Sequence, residues 1–469
     1  MKSLLAQSAL TKVIVLGLLI LFAGLPLAHI SGLISERGQS RQQAAHELAV
    51  RHAGPQVVAG PMLVIPYTER WTEEQQDEKG LVKARIARSK QRAHIVFPER
   101  SDLKGRLTPQ QRYLGIFNVL FYDLQGAFSG RFPVFDPASV PHSEKGSTLE
   151  LQAPVLALAM SDLRGLQGAP TLRLADTGAR WLPRVPGLPQ DSWLAGGIHA
   201  ALPPAAQQAF DAREPLSFQL EMTLVGQERL SIVPLADENT AQLSSEWPHP
   251  SFGGEFLAVR REISERGFDA QWAVSSLVSS ARAQLLQGLQ PRRDGPMERG
   301  QGLDSFDVSL VEPLYVYTHT SRAVKYGLLF VGLVLMAAFM FELFARLRLH
   351  PVQYGLVGLS ITFFFLLLLA LSEKIAFGLA YAAAAGASTL LLTIYFAAVL
   401  RGWKRGLGLG AYVGVLYAAL YGLLSSEDNA LLLGALLLFG LLGLLMLGTR
   451  RVDWYALAGR PQEPAAAPA

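Results

Sequence analysis

Six long apolar runs constrain this chain more than any other feature of its sequence. One lies near the amino terminus, at residues 13–30, and five follow residue 325, at residues 326–345, 352–371, 376–400, 407–424 and 430–448. Each is close to the ~20 residues that a helix needs to cross a hydrocarbon layer of ~30 Å. The sequence therefore predicts a membrane protein with six transmembrane helices, of which the first is separated from the other five by a large segment.

Basic residues mark alternate ends of these runs. They precede the first run and then occupy every second connection: Lys2, Lys12, Arg346, Arg348, Arg401, Lys404, Arg405, Arg450 and Arg451. Because Lys and Arg near span ends are retained in the cytoplasm, both termini, residues 1–12 and 449–469, are predicted to be cytoplasmic and the large segment to be outside. A cleaved signal peptide also has a basic start and an apolar middle, but its removal would break this alternation.

The large segment reads as a short helix followed by many strands. Residues 31–54 are rich in Gln, Ala, Glu and Arg, which predicts a juxtamembrane helix. From 55 to 325, short runs of Val, Ile, Phe and Tyr separated by Gly, Pro and Asp predict an antiparallel β-rich, sandwich-like domain. Polar loops at residues 71–80, 181–193 and 287–302 are typical of mobile or partner-binding segments. The predicted fold class is membrane α + β, held without any cysteine.

A search for catalytic and binding motifs finds little. His46-Glu47 begins like a zinc-protease motif, but Val50 stands where the second His is needed. The sequence has no nucleophile elbow, phosphate-binding loop or clustered Cys/His set. It therefore predicts no catalytic residue, cofactor or metal. The calculated pI near 9.2 reflects the cytoplasmic charges, and without a basic helix or aromatic-basic motif it does not indicate nucleic-acid binding.

The stretch SEWPHPSFGGEF, residues 245–256, admits two interpretations. A catalytic one makes His249 a base, Ser251 a nucleophile and Glu255 a helper. A structural one uses prolines for an extended entry, glycines for a turn and aromatic rings as core anchors. Because a proline restricts His249 to extended conformations and no proton relay is set up, we favour the structural interpretation. Its residues are Trp247, His249, Pro250, Phe252, Gly254 and Phe256.

The apolar runs carry no charge at their centres, where transporters and proton relays normally need one. Polar and aromatic candidates lie at the ends: Glu342, His350, Pro351, Tyr354, Glu373, Glu427, Asp428, Asp453, Trp454 and Tyr455. Glu342 is predicted to pair with Arg346 one helical turn later, or alternatively to line a polar path with the other end residues. Small residues, including Gly410 and Gly414, predict close helix packing in one five-helix bundle.

Several ordered sequence motifs carry a family resemblance. They include GPMLVIPY at residues 60–67, WPHPSFGGEFL at 247–257, VEPLYVYTHTSRAVKYGLLF at 311–330, HPVQYGLVGLS at 350–360, SSEDNALLLG at 425–434 and TRRVDWY at 449–455. Together they resemble the CreD family of bacterial inner-membrane proteins. The resemblance implies a Gram-negative inner membrane, a periplasmic large domain, and a role in envelope integrity and in the response to envelope and β-lactam stress. It does not supply a biochemical activity.

Two functional hypotheses follow. The first is a non-enzymatic inner-membrane protein that supports envelope integrity, with a periplasmic domain that engages other envelope components. The second is lipid or lipid-linked glycan handling, by flipping or modification at the bundle. Membrane lipids are predicted partners, with envelope proteins or glycans as further candidates. A transmembrane sensor is a weaker third hypothesis, because the cytoplasmic segments are too short for an output domain. The sequence does not indicate an oligomeric state.

Overall fold

The structure is a computed structural model that describes residues 9–76, 82–190, 192–289, 302–311, 316–345 and 349–425, with positions 432, 434–436, 439–440, 443, 446 and 450. The chain divides into two compact units. One unit combines Met1–Arg41 with Leu314–Ala469, and the other is Gln42–Pro313. In the described residues the first unit is helical, and the second is built mainly from strands.

The amino-terminal helix is longer than the predicted span. Helix α1 runs over Ala9–Arg51 and contains Pro26. The predicted membrane span at 13–30 and the predicted juxtamembrane helix at 31–54 are therefore one continuous helix. Good helix formers follow the apolar run without a break, and the helix ends just before Gly54-Pro55, where a proline disfavours helix in the residue that precedes it.

The large unit contains two sheets and two short helices. The first sheet has nine strands: β1 (Gln56–Gln76), β2 (Val82–Val96), β5 (Thr148–Leu151), β6 (Val155–Met160), β9 (Trp181–Pro183), β10 (Ile198–Ala201), β12 (Arg229–Val233), β14 (Pro250–Gly254) and β17 (Phe306–Leu310). The second has eight: β3 (Arg100–Leu114), β4 (Phe117–Phe132), β7 (Thr171–Leu174), β8 (Thr177–Ala179), β11 (Leu216–Gln227), β13 (Glu238–Ser245), β15 (Arg260–Ser264) and β16 (Gly267–Ser275). The helices are α2 (Pro204–Asp211) and α3 (Ala281–Gln287).

The sheets are mixed rather than purely antiparallel, which corrects the predicted fold class. The first has the order β14-β17-β12-β1-β6-β10-β9, with β2 and β5 also paired to β1, and the second has the order β15-β16-β13-β3-β4-β11-β7-β8. Strand β1 pairs with β12 in parallel, and β3 pairs with β13 in parallel. More than a hundred residues separate the strands of each parallel pair. Long crossovers of this kind are invisible to local sequence periodicity.

The two sheets share one hydrophobic core. Leu63 and Leu158 of the first sheet pack in the same buried cluster as Leu124 and Phe128 of the second. Strand β11 shows the corresponding alternation, because every second residue from Leu216 to Met222 is buried and side chains along a strand point alternately to opposite faces. The face-to-face arrangement is therefore sandwich-like, with the inward residues of both sheets forming the interior.

The other unit continues with α4 (Val316–Lys325), α5 (Gly327–Ala345), α6 (Pro351–Ser372), α7 (Phe377–Val399) and α8 (Trp403–Ser425). Among the described residues, four helices are long and apolar enough to cross a membrane, and the bent pair His319–Lys325 and Gly327–Glu342, with a 46° bend, makes five if it is one span. The predicted sixth span at 430–448 falls almost wholly outside the described residues.

The boundary between the units differs from the predicted one. The β-rich domain was expected to extend to residue 325, but α4 belongs to the helical unit, where it packs against α6. Its sequence, VYTHTSRAVK, is polar. A search for apolar runs therefore does not assign α4 to the helical unit. Within the same unit, α7 and α8 approach closely at Gly410, where an added Cβ atom would lie 1.9 Å from Oγ1 of Thr393.

Candidate functional site

The WPHPSFGGEF stretch lies against the core of the large unit. The indole Nε1 of Trp247 donates a hydrogen bond to the carbonyl of Val311 (2.9 Å). The ring of Phe252 contacts Phe268 edge-on, with 5.6 Å between centroids, and Phe256 packs against the same core. Gly254 has φ +80°, and a Cβ atom there would lie 2.2 Å from the carbonyl oxygen of Ser305. The aromatic residues of this stretch therefore pack against the core, and its glycine allows the chain to turn.

The polar residues of this stretch are arranged differently. His249, Ser251 and Glu255 are all exposed. Pro250 begins β14 opposite Leu310 of β17, and the carbonyl of His249 accepts a hydrogen bond from the N–H of Val311 (3.1 Å). Within the described residues, no hydrogen bond joins the side chains of His249 and Ser251, so the base and nucleophile of the catalytic interpretation are not paired.

Glu342 connects three helices of the other unit. Its side chain is 3% exposed and accepts hydrogen bonds from Lys12 of α1 and from the hydroxyl of Tyr354 of α6 (2.5 Å). The N–H of Leu349 also donates to this carboxylate (3.2 Å). The expected partner, Arg346, lies outside the described residues. The carboxylate is thus already satisfied by a cation, a hydroxyl and a backbone N–H.

His350 and Pro351 form the start of α6. The Nδ1 atom of His350 accepts a hydrogen bond from the N–H of Val352 (3.3 Å), while Gln353 accepts one from the N–H of His350 (2.9 Å). Pro351 occupies the first turn, where its missing N–H costs nothing. His350 therefore caps a helix, a role that uses its ring nitrogen as an acceptor.

Glu373 lies at the other end of α6 and meets two residues of its unit. The hydroxyl of Tyr317 donates to it (3.4 Å), and Nε of Arg37 lies 3.6 Å away. The remaining end residues, Glu427, Asp428, Asp453, Trp454 and Tyr455, lie outside the described residues. Sequence reasoning placed Glu342 and Glu373 on opposite faces of the membrane, and in the structure each has its own separate set of partners.

The bundle also carries a groove between α6 and α7, with a volume of about 470 Å³. Its lining is apolar apart from two serines: Ser360, Phe363, Phe364, Leu366, Leu367, Ala370, Ala384, Ala387, Ser388 and Leu391. Neither Glu342, His350 nor Glu373 belongs to this lining. In the described part of the bundle this groove is therefore not a polar path lined by these residues.

The large unit contains a much larger and more polar groove, of about 1010 Å³. One wall is strand β2, which contributes Lys90, Gln91, Arg92 and Ala93. The opposite wall is the proline-rich loop 184–190, which contributes Arg184. Leu286 and Leu289, at and just beyond the end of α3, supply apolar side chains. We call this space the β2 groove. Its volume is at the upper end of the ~300–1,000 Å³ typical of ligand pockets.

The loop that forms the second wall is held in place at several points. The N–H of Arg184 donates to Gly197 (2.8 Å) and that of Val185 to Ala195 (3.0 Å). Val185 is buried in an apolar cluster. Gly187 has φ +76°, and a Cβ atom there would lie 3.1 Å from the carbonyl oxygen of Arg92. Glycine suits this position because its positive φ is rarely adopted by other residues and because a Cβ atom would crowd the backbone of β2.

A buried carboxylate lies next to Arg92, one of the residues that line the β2 groove. Glu69 of β1 is 0% exposed and lies 3.1 Å from Nε of Arg92, although the two groups are not in hydrogen-bond geometry. It accepts hydrogen bonds from the N–H groups of Ser143 (2.7 Å) and Glu144 (3.2 Å) and from the hydroxyl of Ser147 (2.8 Å). Burial alone raises the pKa of Glu69, but these hydrogen bonds and the charge of Arg92 together lower it. Glu69 therefore places a buried negative charge beside Arg92.

The same network contains a Ser and a His but not the order of a hydrolytic triad. Nδ1 of His142 lies 2.9 Å from Oγ of Ser147, whose hydroxyl already donates to Glu69. In a triad the His stands between the nucleophile and the acid, whereas here the Ser stands between the other two. Across the described ranges, no group of three or more His, Asp or Glu side chains could hold a metal ion.

Comparison with known proteins identifies the family. The family model described as "Inner membrane protein CreD" matches residues 8–455. The chain belongs to the CreD family. A CreD relative, "Inner membrane protein CreD" of Escherichia coli (strain K12), is 32% identical over 434 residues, which are 92% of this chain and 91% of the relative. The family match and the apolar helices identify a multi-pass inner-membrane protein.

Solved structures are only distantly similar to this CreD-family chain. A variant of an M1 zinc metallopeptidase from Deinococcus radiodurans has 9% identity and a TM-score of 0.20, over 46% of this chain and 42% of that one. A two-domain M1 zinc metallopeptidase variant bound to L-arginine has 10% identity and a TM-score of 0.21, over 80% and 96% of the two chains. Scores this low carry no argument about the fold or the activity of the CreD-family chain.

The sequence pointed to the loop that forms one wall of the β2 groove. It did not indicate that this loop and strand β2 enclose a groove. The proline-rich loop at 181–193 was expected to be mobile or partner-binding, and its residues 184–190 line the groove. Lys90 and Arg92 carried no signal of their own, because they lie about ninety positions before Arg184. The alternation KARIARSKQR, at residues 83–92, is the one local feature that could have indicated a basic strand.

Proposed function

We propose that this CreD-family protein is a non-enzymatic inner-membrane protein that supports envelope integrity and the response to envelope and β-lactam stress. Its β-rich domain lies in the periplasm and binds other envelope components, while the helical unit holds it in the membrane. The β2 groove carries this proposal. It is a large, preformed and basic space, and no cluster of metal-ligating side chains is found in the described part of the chain.

Two ion pairs agree with the predicted assignment of residues to a shared membrane face. Lys12 and Glu342 are both predicted at the cytoplasmic face, and they pair with each other. Arg37 and Glu373 are both predicted at the outer face, and they also pair. Because residues at opposite faces are separated by ~30 Å of hydrocarbon, each pair is compatible only with a topology that places both its members on one side. Both pairs meet this condition.

Lipid or lipid-linked glycan handling at the bundle has less support. That function would require a polar path reaching the lipid, since charged groups are costly in the hydrocarbon layer. The described groove between α6 and α7 is apolar. Glu342 is closed off by Lys12 and Tyr354, and it is not part of that groove.

The proposal is tested in cells that lack their own copy of the gene. The wild-type chain, the groove variant Lys90→Glu/Arg184→Glu and the control Lys104→Glu are each expressed at the same level. Lys104 is also exposed, but it lies on β3 in the other sheet. We expect survival under detergent and β-lactam exposure to be restored by the wild type and the control but not by the groove variant. Full restoration by the groove variant would contradict the proposal.

A photo-crosslinking amino acid identifies what the groove contacts. It replaces Arg184 in one strain and Lys104 in a matched strain, and the products formed in intact cells are identified by mass spectrometry. We expect an envelope protein or glycan to be captured at Arg184 alone. Capture of lipid at Arg184 would instead favour the lipid-handling hypothesis, and equal capture at both positions would show that the groove is not selective.

A further inference from the structure

We propose that the β2 groove binds an extended acidic peptide segment of a partner protein, which adds as a strand to the free edge of β2. This inference rests on the proposed function and names the class of envelope component that the domain takes. Three features of the described residues support it: an unpaired strand edge, an excess of basic side chains and an apolar floor.

The strand edge supplies backbone hydrogen-bonding groups. Strand β2 pairs with β1 in an antiparallel ladder and with no other strand in the described residues. From 84 to 94 its backbone likewise makes no hydrogen bond to any described segment other than β1. A free strand edge presents a row of N–H and C=O groups that an extended peptide can pair with. The β2 groove lies along this edge, because residues 90–93 of β2 line it.

The charge of the lining selects an acidic ligand. Lys90, Arg92 and Arg184 line the β2 groove, and the described residues of its lining include no Asp or Glu. Arg92 is partly neutralised by Glu69 beneath it. Lys90 and Arg184 are exposed and make no ion pair within the described part of the chain. The lining therefore carries two cations without an ion-pair partner among the described residues, one on the strand and one on the loop, and carboxylates on a bound peptide would complement their charge.

The apolar lining favours a peptide over an acidic glycan. Leu188, Leu286 and Leu289 and three prolines, Pro141, Pro186 and Pro189, line the β2 groove. Among the described lining residues the aromatic one, Tyr67, is only 4% exposed, so this part of the groove offers no open ring for a sugar to stack on. An extended peptide can match both the basic side chains and the apolar lining of the groove. Its side chains alternate between two faces, so one face can carry acidic groups and the other apolar ones.

Fluorescence anisotropy of the full chain in detergent micelles tests the proposal directly. The probe is a labelled octapeptide of alternating Val and Glu, and the matched probes are the same peptide with Lys in place of Glu and an oligogalacturonate. We expect saturable binding of the Val-Glu peptide alone. Added salt should weaken it, since exposed charges are screened beyond about 10 Å at 0.1 M ionic strength.

Variants and a modified probe separate charge from strand pairing. Lys90→Glu/Arg184→Glu should weaken binding by about tenfold or more, whereas Lys104→Glu should leave it within about twofold. N-methylation of alternate peptide nitrogens keeps the charge but removes backbone donors, so it should also weaken binding by about tenfold. Circular dichroism and thermal unfolding check that each variant is folded, and Arg184→Lys, which keeps the charge, should retain binding.

The opposite results would overturn the inference. No saturable binding of the Val-Glu peptide, equal losses in the groove and control variants, or full binding of the N-methylated peptide would each exclude strand addition. If oligogalacturonate binds instead and depends on Lys90 and Arg184, the peptide inference fails while the proposed function stands. If the peptide binds in micelles but the groove variant restores envelope survival in cells, the proposed function fails while the binding site stands.

Discussion

Lys12 of α1 donates a hydrogen bond to the carboxylate of Glu342 of α5, across 330 positions of sequence. The same carboxylate accepts a hydrogen bond from Tyr354 of α6. One side chain thereby joins the amino-terminal helix to two helices that follow the large domain. The pair explains how a single span, separated in sequence from the others, is positioned against them.

Glu342→Gln should destabilise the helical unit by about 1–3 kcal/mol, because it leaves the Lys12 ammonium without its counter-charge. The measurement is thermal unfolding of the full chain in detergent. Tyr354→Phe, which removes one hydrogen bond, should cost about 1 kcal/mol. In a double-mutant cycle, Lys12→Gln combined with Glu342→Gln should cost less than the sum of the single changes. Additive effects would show that the two groups do not interact.

Glu69→Gln should destabilise the large unit at neutral pH, and the difference from the wild type should shrink in acid. The pKa of Glu69 is lowered from its ordinary value of 4.5. A carboxyl whose pKa is lower in the folded state adds stability above its unfolded pKa and loses it as the pH falls through the folded value. Unfolding temperatures are therefore compared from neutral pH to below about 4.5.

Glu150→Gln is the matched control for this pH dependence. Glu150 pairs with Arg70, but both side chains are more than 60% exposed, and exposed pairs contribute roughly 0–1 kcal/mol. We expect its unfolding temperature to follow that of the wild type throughout. A constant difference between Glu69→Gln and the wild type at every pH would mean that the ionisation of Glu69 does not stabilise the fold.

Trp247→Ala should lower the amount of folded protein, whereas His249→Ala should not. Trp247 packs against the core and donates a hydrogen bond to Val311, so its truncation should cost about 3 kcal/mol. Trp247→Phe keeps much of the packing and should cost about 1 kcal/mol through the lost hydrogen bond. Protein level and envelope survival are measured together. Loss of survival in His249→Ala at normal protein level would instead favour the catalytic interpretation of this stretch.

Cysteine labelling tests the predicted topology without interference, because the chain has no native cysteine. Lys374→Cys, between α6 and α7, should react with a membrane-impermeant maleimide that reaches the periplasm of intact cells. Arg401→Cys, between α7 and α8, should react only after the membrane is opened. Lys104→Cys in the β-rich domain should behave like Lys374→Cys. The reverse pattern would place the large domain in the cytoplasm and exclude the proposed function.

Several apolar runs of the sequence coincide with helices of the structure, because the signal for an apolar helix is local. The predicted runs at 352–371 and 376–400 differ from α6 and α7 by one residue at each end, since apolar run length alone defines a span. The predicted run at 407–424 differs more at its start, where α8 begins at Trp403. Polar residues at the end of a helix are not included in an apolar run. For the same reason the sequence analysis placed α4 in the β-rich domain, whereas it belongs to the helical unit.

Features that depend on distant residues were not predictable in the same way. The parallel pairing of β1 with β12 and the partner of Glu342 both join positions far apart in sequence. Glu69 gave no signal, because a buried carboxylate is recognised by the donors around it rather than by its neighbours in the chain. Aromatic residues such as Phe252 could be assigned to packing, since large apolar side chains in a strand-rich segment are usually buried.

The free edge of β2 also bears on self-association. Unprotected strand edges of two identical molecules can pair with each other and start aggregation. Here two such edges would bring Lys90 and Arg92 of one copy against the same cations of another, and like charges placed opposite each other oppose pairing. The positive charge that would complement the proposed acidic partner would therefore also oppose edge-to-edge pairing of neighbouring copies.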